Sequence, residues 1–184
     1  MNDKTNIEKL IKKAQAGDTD AFAYVYDEYF SHIYRYVYYR VNKEEVDDVV
    51  AQVFMKAWDN LGRFKIQKGV SFGAWLFRIA HNLVVDQYRV HRGVSELPTE
   101  LIDERRESDP RHVAQIKLDQ VVLKRALSQV KDVYKQVILL KFINGLSNQE
   151  IAEVLKRKEG NVRILQFRAL KELKVVLAKM GYSS

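Results

Sequence analysis

The stretch LSNQEIAEVLKRKEGNVRILQFRALKELK, Leu146 to Lys174, decides how this chain folds. Ser147 followed three residues later by Glu150 is a capping box, in which each side chain satisfies a backbone N–H that a helix start leaves open. A short helix therefore begins there, with Ile151, Ala152 and Leu155 turned inward. A four-residue polar turn, Lys156 to Glu159, follows. A second helix starts near Glu159 or Gly160, and its inner face is Val162, Leu165, Ala169 and Leu173, three and four residues apart. Helices joined by so short a turn cross steeply, and the small Ala152 lets them approach closely; this is a helix-turn-helix. At about 100° per residue, Gly160, Arg163, Ile164, Phe167, Arg168 and Lys171 lie away from the core stripe. Arginine can bind a guanine edge with two hydrogen bonds, and apolar groups can contact thymine methyls. Lys156, Arg157 and Lys158 in the turn suit phosphates. The competing reading of Phe167 is packing against another part of the chain or a partner.

Outward from this stretch, the 184 residues are 47% hydrophobic and 30% charged, with only two prolines and eight glycines. Sustained helical periodicity with so few breakers predicts an all-α protein. Cysteine is absent, which excludes disulfides and thiolate zinc sites. His32, His81, His91 and His112 are scattered without metal-ligand spacing, so no metal and no cofactor is expected. The net charge of +7 is unevenly spread: residues 1–92 carry +2, residues 93–111 carry −3, and residues 112–184 carry +8. A small unit that basic points to a polyanionic partner, because each neutralised phosphate releases a condensed counterion. The leading MNDKTNIEKLIKKAQAGD is polar and charged, unlike a signal peptide or a membrane span. The expectation is a cytoplasmic protein with no membrane insertion.

Both prolines, Pro98 and Pro110, fall in GVSELPTELIDERRESDPR, Gly93 to Arg111. It is acidic and aperiodic, and reads as a flexible linker between two periodic blocks. The first block opens with a short helix carrying Ile7, Leu10, Ile11 and Ala14, ended by Gly17. A second helix carries Phe22, Val25, Tyr26, Tyr29, Phe30, Ile33 and Val37. The aromatic run Tyr24 to Tyr39 is thus mostly core, with Tyr34, Tyr38 and Tyr39 expected to be partly exposed. A third helix holds Val46, Val49, Val50, Val53, Phe54, Ala57, Trp58 and Leu61. The loop Asn60 to Ser71 follows, with Phe64 and three basic residues. It could cradle phosphates or a splayed-out base. The fourth helix, from Phe72, puts Arg78, Asn82, Asp86 and Arg89 on one polar stripe flanked by His81 and Val85; a solvated face is the competing reading. The second block begins with one or two helices over Ile116 to Phe142, broken by Gly145. No nucleophile elbow, phosphate-binding glycine loop or metal spacing is present. Adjacent carboxylates such as Asp47 and Asp48 diverge on a helix. An enzyme acting on a small molecule is not expected.

Both blocks match one family in order and spacing. EEVDDVVAQVFMKAWDNLGRF, Glu44 to Phe64, resembles the polymerase-binding helix of bacterial sigma factors. FGAWLFRIAHNLVVDQYR, Phe72 to Arg89, resembles that family's promoter-melting and −10-reading helix, through Trp75, Leu76, Arg78, Ile79, Ala80, Asn82 and Asp86. The helix-turn-helix is similar to its −35-reading domain. The short chain, with no domain between the blocks, resembles the extracytoplasmic-function (ECF) class. The resemblance implies two small helical domains: residues 1–92, like sigma region 2, and residues 115–184, like region 4, joined by a linker over 93–114. It also implies partners: the β′ and β subunits of core RNA polymerase, double-stranded and melted promoter DNA, and an anti-sigma factor. Asp47, Asp48, Val50, Ala51, Phe54 and Trp58 would then contact polymerase. Arg63, Phe64, Lys65, Ser71, Trp75, Arg78, His81, Asn82, Asp86 and Arg89 would serve the −10 element. Ser147, Lys158, Gly160, Asn161, Arg163, Ile164, Phe167, Arg168 and Lys171 would serve the −35 element. The acidic linker, with Glu100, Asp103, Glu104 and Glu107, would imitate nucleic acid in the polymerase. Where relatives often carry Gln-Glu, this chain has Ala51 and Gln52. Where a Ser-Arg pair is common, it has Ile164 and Leu165. The alternative left by the residues alone is a stand-alone helix-turn-helix regulator with a sensor domain.

Overall fold

The computed structural model describes residues 3–65, 71–90 and 120–182, and their regular structure is entirely helical. In the first unit, α1 (Asp3–Gln15) ends at Gly17, whose φ of +97° closes the helix in a conformation that favours glycine. Asp18 then caps α2 (Thr19–Tyr38), its carboxylate accepting from the Ala21 N–H. A 3₁₀ turn, Lys43–Glu45, leads into α3 (Val46–Asn60). After a further turn, Leu61–Arg63, and the loop, α4 (Phe72–Val90) begins. The Ser71 hydroxyl accepts from the Ala74 N–H and so caps α4. The loop's entry is held by Gln15, whose side-chain amide donates to the carbonyls of Leu61 and Phe64 at 2.9 and 2.7 Å. Val25, Ile33, Val37, Val49, Val53, Ala57, Leu76 and Ala80 form the core between these helices, each aliphatic side chain removed from water contributing roughly 1.5–3 kcal/mol.

The second unit begins with α5, described over 120–128, then α6 (Asp132–Ile138). α6 runs into a wider π-turn, Leu139–Ile143, closed by the Asn144 N–H on the Leu139 carbonyl. The periodic pattern predicts no such turn, because Val137 to Ile143 is apolar on nearly every side. Gly145, at φ +71°, ends the segment as expected. α7 (Asn148–Leu155) and α8 (Glu159–Lys179) form the helix-turn-helix over a core of Leu127, Val137, Leu140, Ile151, Val162 and Ala169. Ser147 and Glu150 make the predicted capping box. Lys156 takes a left-handed conformation, φ 51°, as the C-cap of α7. The turn is Lys156 to Lys158, one residue shorter than expected, because Glu159 is already helical.

The two units pack on each other, α4 lying against α7. Some burial differs from what periodicity predicts. Val154 is buried although it lies off the predicted inner stripe of α7. Tyr38 and Tyr39, expected to be partly exposed, are buried; the ammonium of Lys124 on α5 sits 3.8 Å above the Tyr38 ring. Arg40, just past α2, is buried and pairs with Asp132 of α6 at 3.2 Å.

Candidate nucleic-acid interfaces

The first unit gathers its candidate residues into a cavity of about 280 Å³ between α3, the turn after it and α4. Arg63, Trp75, Arg78 and Asn82 line it, as the polar stripe and the loop predict, and Lys56 and Asn60 join them from the end of α3. Ile79 and Leu83 form its apolar floor. Trp75 is held by ring contacts with Phe64 and Phe72 at centroid distances of 5.1 and 5.2 Å. One partly buried indole, two guanidiniums, a lysine and two amides suit a flat polar group carried on a phosphate chain. Lys56 was missed because it sits on the helix read as polymerase-binding. Its signal was position: it lies one turn before Asn60, whose side-chain amide donates to the Lys56 carbonyl at 2.9 Å.

Other members of the predicted −10 set have different places. Phe64 is buried under Phe72 and Trp75, so it is no stacking platform; it sets the Trp75 ring. Ser71 caps α4 and its hydroxyl donates to Glu150 of α7 at 2.5 Å. His81 turns away from the stripe, its Nδ1 lying 3.2 Å from the Tyr36 hydroxyl of α2. Lys65 and Asp86 are exposed and do not line the cavity. Arg89 lies on α4, but its side chain is outside the described residues, as are residues 66–70 of the loop and the whole acidic linker.

On α3 the predicted polymerase set divides by face. Asp47, Asp48 and Ala51 are exposed, whereas Val50 and Phe54 are core residues with no surface to offer a partner. Their helical phase matches Val46, Val53 and Ala57, so packing explains both. Trp58 is 37% exposed, with one edge on Phe22 at 4.9 Å between centroids. Met55, 66% exposed, adds an apolar group to the outer face that the motif alone does not mark.

The second unit presents a convex surface. Gly160, Asn161, Arg163, Ile164, Phe167, Arg168 and Lys171 are all exposed on α8, and Ser147 and Lys158 are exposed at the helix starts. Val162 and Ala169 are fully buried beneath them, so the predicted division of the helix holds. Phe167 is 72% exposed and Ile164 52%. Among the described residues no other part of the chain covers Phe167, so of the competing reading only packing on a partner is left. Burying such side chains in a complex is worth about 1.5–3 kcal/mol each. Leu170 and Val175 extend the exposed apolar surface along α8. Arg163 is held by Glu159, one turn back, at 2.8 Å; so exposed a pair is worth only about 0.3–0.5 kcal/mol and gives way readily to a stronger acceptor.

A concave cationic pocket and a convex cationic helix-turn-helix on one chain define a two-part DNA-binding protein, and the family comparisons specify which. A family model described as Sigma-70 region 2 matches residues 25–93, and one described as Sigma-70, region 4, matches residues 120–173. The ECF RNA polymerase sigma factor SigW of Bacillus subtilis is 32% identical over 85% of this chain and 89% of its own length. The ECF sigma factor BldN of Streptomyces coelicolor is 36% identical over 94% of this chain, which spans 66% of the length of BldN. Among solved structures, CnrH in complex with the cytosolic domain of CnrY superposes with a TM-score of 0.72 at 27% identity, covering 95% of this chain and 98% of that one. The sigma factor RpoE of Bartonella quintana, in complex with the anti-sigma factor NepR, shares the fold at a TM-score of 0.65 and 21% identity, covering 83% and 95%. The chain belongs to the ECF RNA polymerase sigma factors, a family of non-catalytic transcription initiation factors. The stand-alone regulator is displaced as a reading by the region 2 match.

Proposed function

We propose that this chain binds core RNA polymerase through the outer face of α3 and directs initiation by reading two promoter elements. Asp47, Asp48, Ala51, Met55 and Trp58 form the polymerase-facing surface, with Val50 and Phe54 fixing its pitch from below. The cavity around Trp75, Arg78 and Asn82 receives an unpaired base of the −10 element. Its shape is the observation that carries this reading: extrusion costs a few kcal/mol of stacking, which a concave, cationic, aromatic pocket can offset and a flat basic face cannot. α8 docks in the major groove of the −35 element, with Arg163, Ile164 and Phe167 toward base edges and Arg168, Lys171 and Lys158 toward phosphates. The chain carries no chemistry of its own and works in the cytoplasm; among the described residues no helix is long and apolar enough to cross a membrane. An anti-sigma factor is the natural negative partner, since CnrH and RpoE were each solved bound to one partner.

Run-off transcription with core polymerase and a randomised promoter library tests this. Promoter-specific initiation that requires both the chain and the core is expected. Absence of specific initiation overturns the reading, and strong promoter protection without core polymerase would restore the stand-alone regulator.

A further inference from the structure

A second hollow, of about 360 Å³, lies where the two units meet. Its floor is buried: Ile11 of α1, Phe72, Ala74 and Phe77 of α4, and Leu146 just ahead of α7. The Tyr29 ring of α2 stands beside Phe72, with centroids 5.5 Å apart, and the half-buried His32 lies one turn on. Gly73 lets Tyr29 come close, since a Cβ there would meet its ring at 3.1 Å. Besides these two rings, the ionisable groups are carboxylates. Glu8 and Glu28, both exposed, come from the first unit, and the half-buried Glu150 from the second. Neither lysine nor arginine is among the described residues that line the hollow, in a chain whose net charge is +7. Asn144 lines it from the second unit. Its Nδ2 donates to the Leu139 carbonyl at 2.9 Å, and its buried Oδ1 meets no donor among the described residues.

We infer that this hollow binds a small organic cation, an ammonium carried on an apolar body, and that the occupant joins the two units. Size, floor and charge each select that chemistry. The volume lies at the low end of the roughly 300–1,000 Å³ of small-molecule sites. One turn of a partner helix, about 10 Å across and about 5.4 Å long, already fills roughly 420 Å³, so the fit is to a molecule and not to a helix. The buried floor takes the apolar body, and aromatic faces such as Tyr29 and Phe72 attract an ammonium. The carboxylates favour the cation and repel an anion on the same body. Glu150 has acceptor capacity left: it takes the Ser71 hydroxyl at 2.5 Å and the Ser147 N–H at 2.8 Å, and a carboxylate offers about four lone-pair positions. Because both units line the hollow, the packed form binds the cation better than separated units do, and occupancy stabilises packing by mass action. The consequence for initiation rests on the proposed function. The first helix of a helix-turn-helix crosses the DNA backbone, and here that helix, α7, is packed on α4.

Isothermal titration calorimetry on the full chain tests this with three probes. Phenethylamine carries an ammonium on an aromatic body, phenylpropionate carries a carboxylate on the same body, and ethanolamine is a cation without that body. Saturable binding of phenethylamine in the millimolar range or tighter is expected. The other two should bind at least about tenfold more weakly, as the loss of one buried apolar group implies for ethanolamine. Glu28→Lys, at an exposed position of α2, should weaken phenethylamine severalfold, with Glu8→Gln as a second variant on the same unit. Glu150→Gln should weaken it too; glutamine serves a capping box as well as glutamate does, so α7 keeps its start. Helix content by circular dichroism accompanies each variant. Phenethylamine should also raise the thermal unfolding midpoint of the parent chain and leave that of Glu28→Lys unchanged. No saturable binding of phenethylamine, or equal binding of all three probes, overturns the proposal. So does a loss confined to the carboxylates of one unit, since the site would then not join the two. Binding that tightens severalfold in Lys68→Gln would mean that the chain's own lysine, between Lys65 and Ser71, holds the hollow. A dimer in sedimentation that dissociates in Glu28→Lys would put a second copy there. Either result overturns the assignment to a small molecule. None of these readouts involves polymerase or promoter DNA, so failure of this site and failure of the proposed function are separable.

Discussion

The two candidate DNA surfaces differ in shape, and the shape tells what each can read. The first unit offers a cavity in which Lys56, Asn60, Arg63, Trp75, Arg78 and Asn82 converge from two helices and a turn. The second offers the outside of one helix, where Arg163, Ile164, Phe167 and Lys171 diverge into solvent. A convex helix fits the major groove and needs no deformation of the duplex. A pocket can be entered only by a base that has left its stack. The convex surface therefore depends on the frame that presents it, and the concave one on individual side chains within it.

The largest effect expected from that contrast is on the frame. Ile151 is completely buried beneath the turn of the helix-turn-helix, and Ile151→Ala should cost about 2–5 kcal/mol of folding stability. Urea unfolding measures it; a loss below about 1 kcal/mol would mean that the site collapses freely and that the convex surface does not depend on its frame. Next is the pocket. Trp75→Ala should weaken binding of single-stranded −10 DNA by holoenzyme by about 1–3 kcal/mol, while −35 duplex binding is unchanged. Because Trp75 also packs on Phe64 and Phe72, the melting temperature is measured alongside. A loss spread equally over both DNAs would deny the pocket its separate role. On the convex side, Arg163→Ala should cost about 1–3 kcal/mol and relax preference at one −35 position if it reads a guanine. A binding assay over single-base variants decides this, and a uniform loss would make Arg163 a phosphate contact.

The same contrast governs what could be read in advance. The convex surface was legible almost residue by residue, because helical phase alone separates Val162 and Ala169 from Arg163, Ile164 and Phe167. The cavity was legible only in part. Arg78 and Asn82 followed from phase, but Lys56 entered from another helix, and no period along one segment records where two helices converge. Phase also exposes a limit of motif reasoning. Val50 and Phe54 fall within the polymerase-binding motif, yet their spacing marks them as core, and core is where they lie. The Lys124 ammonium over the Tyr38 ring belongs to contact between the two units, which local pattern cannot register.

The smallest effect expected is also the one that bears most directly on the difference between the surfaces. Releasing counterions gives a salt dependence whose slope scales with the number of phosphates neutralised, by about 0.9 for each on duplex DNA and about 0.7 for each on a single strand. Lys171→Ala removes an exposed cation from the convex face, and Lys56→Ala removes one from the rim of the cavity. Each should weaken binding modestly and without sequence preference. The two should differ in which DNA reports them. Lys171→Ala should flatten log K against log salt for a −35 duplex and leave a melted −10 strand unaffected. Lys56→Ala should do the reverse, with the smaller change in slope. Lysine substitutions that lowered both slopes together would mean that one continuous basic surface tracks the DNA backbone, and the division between a groove-reading helix and a base-holding pocket would fail.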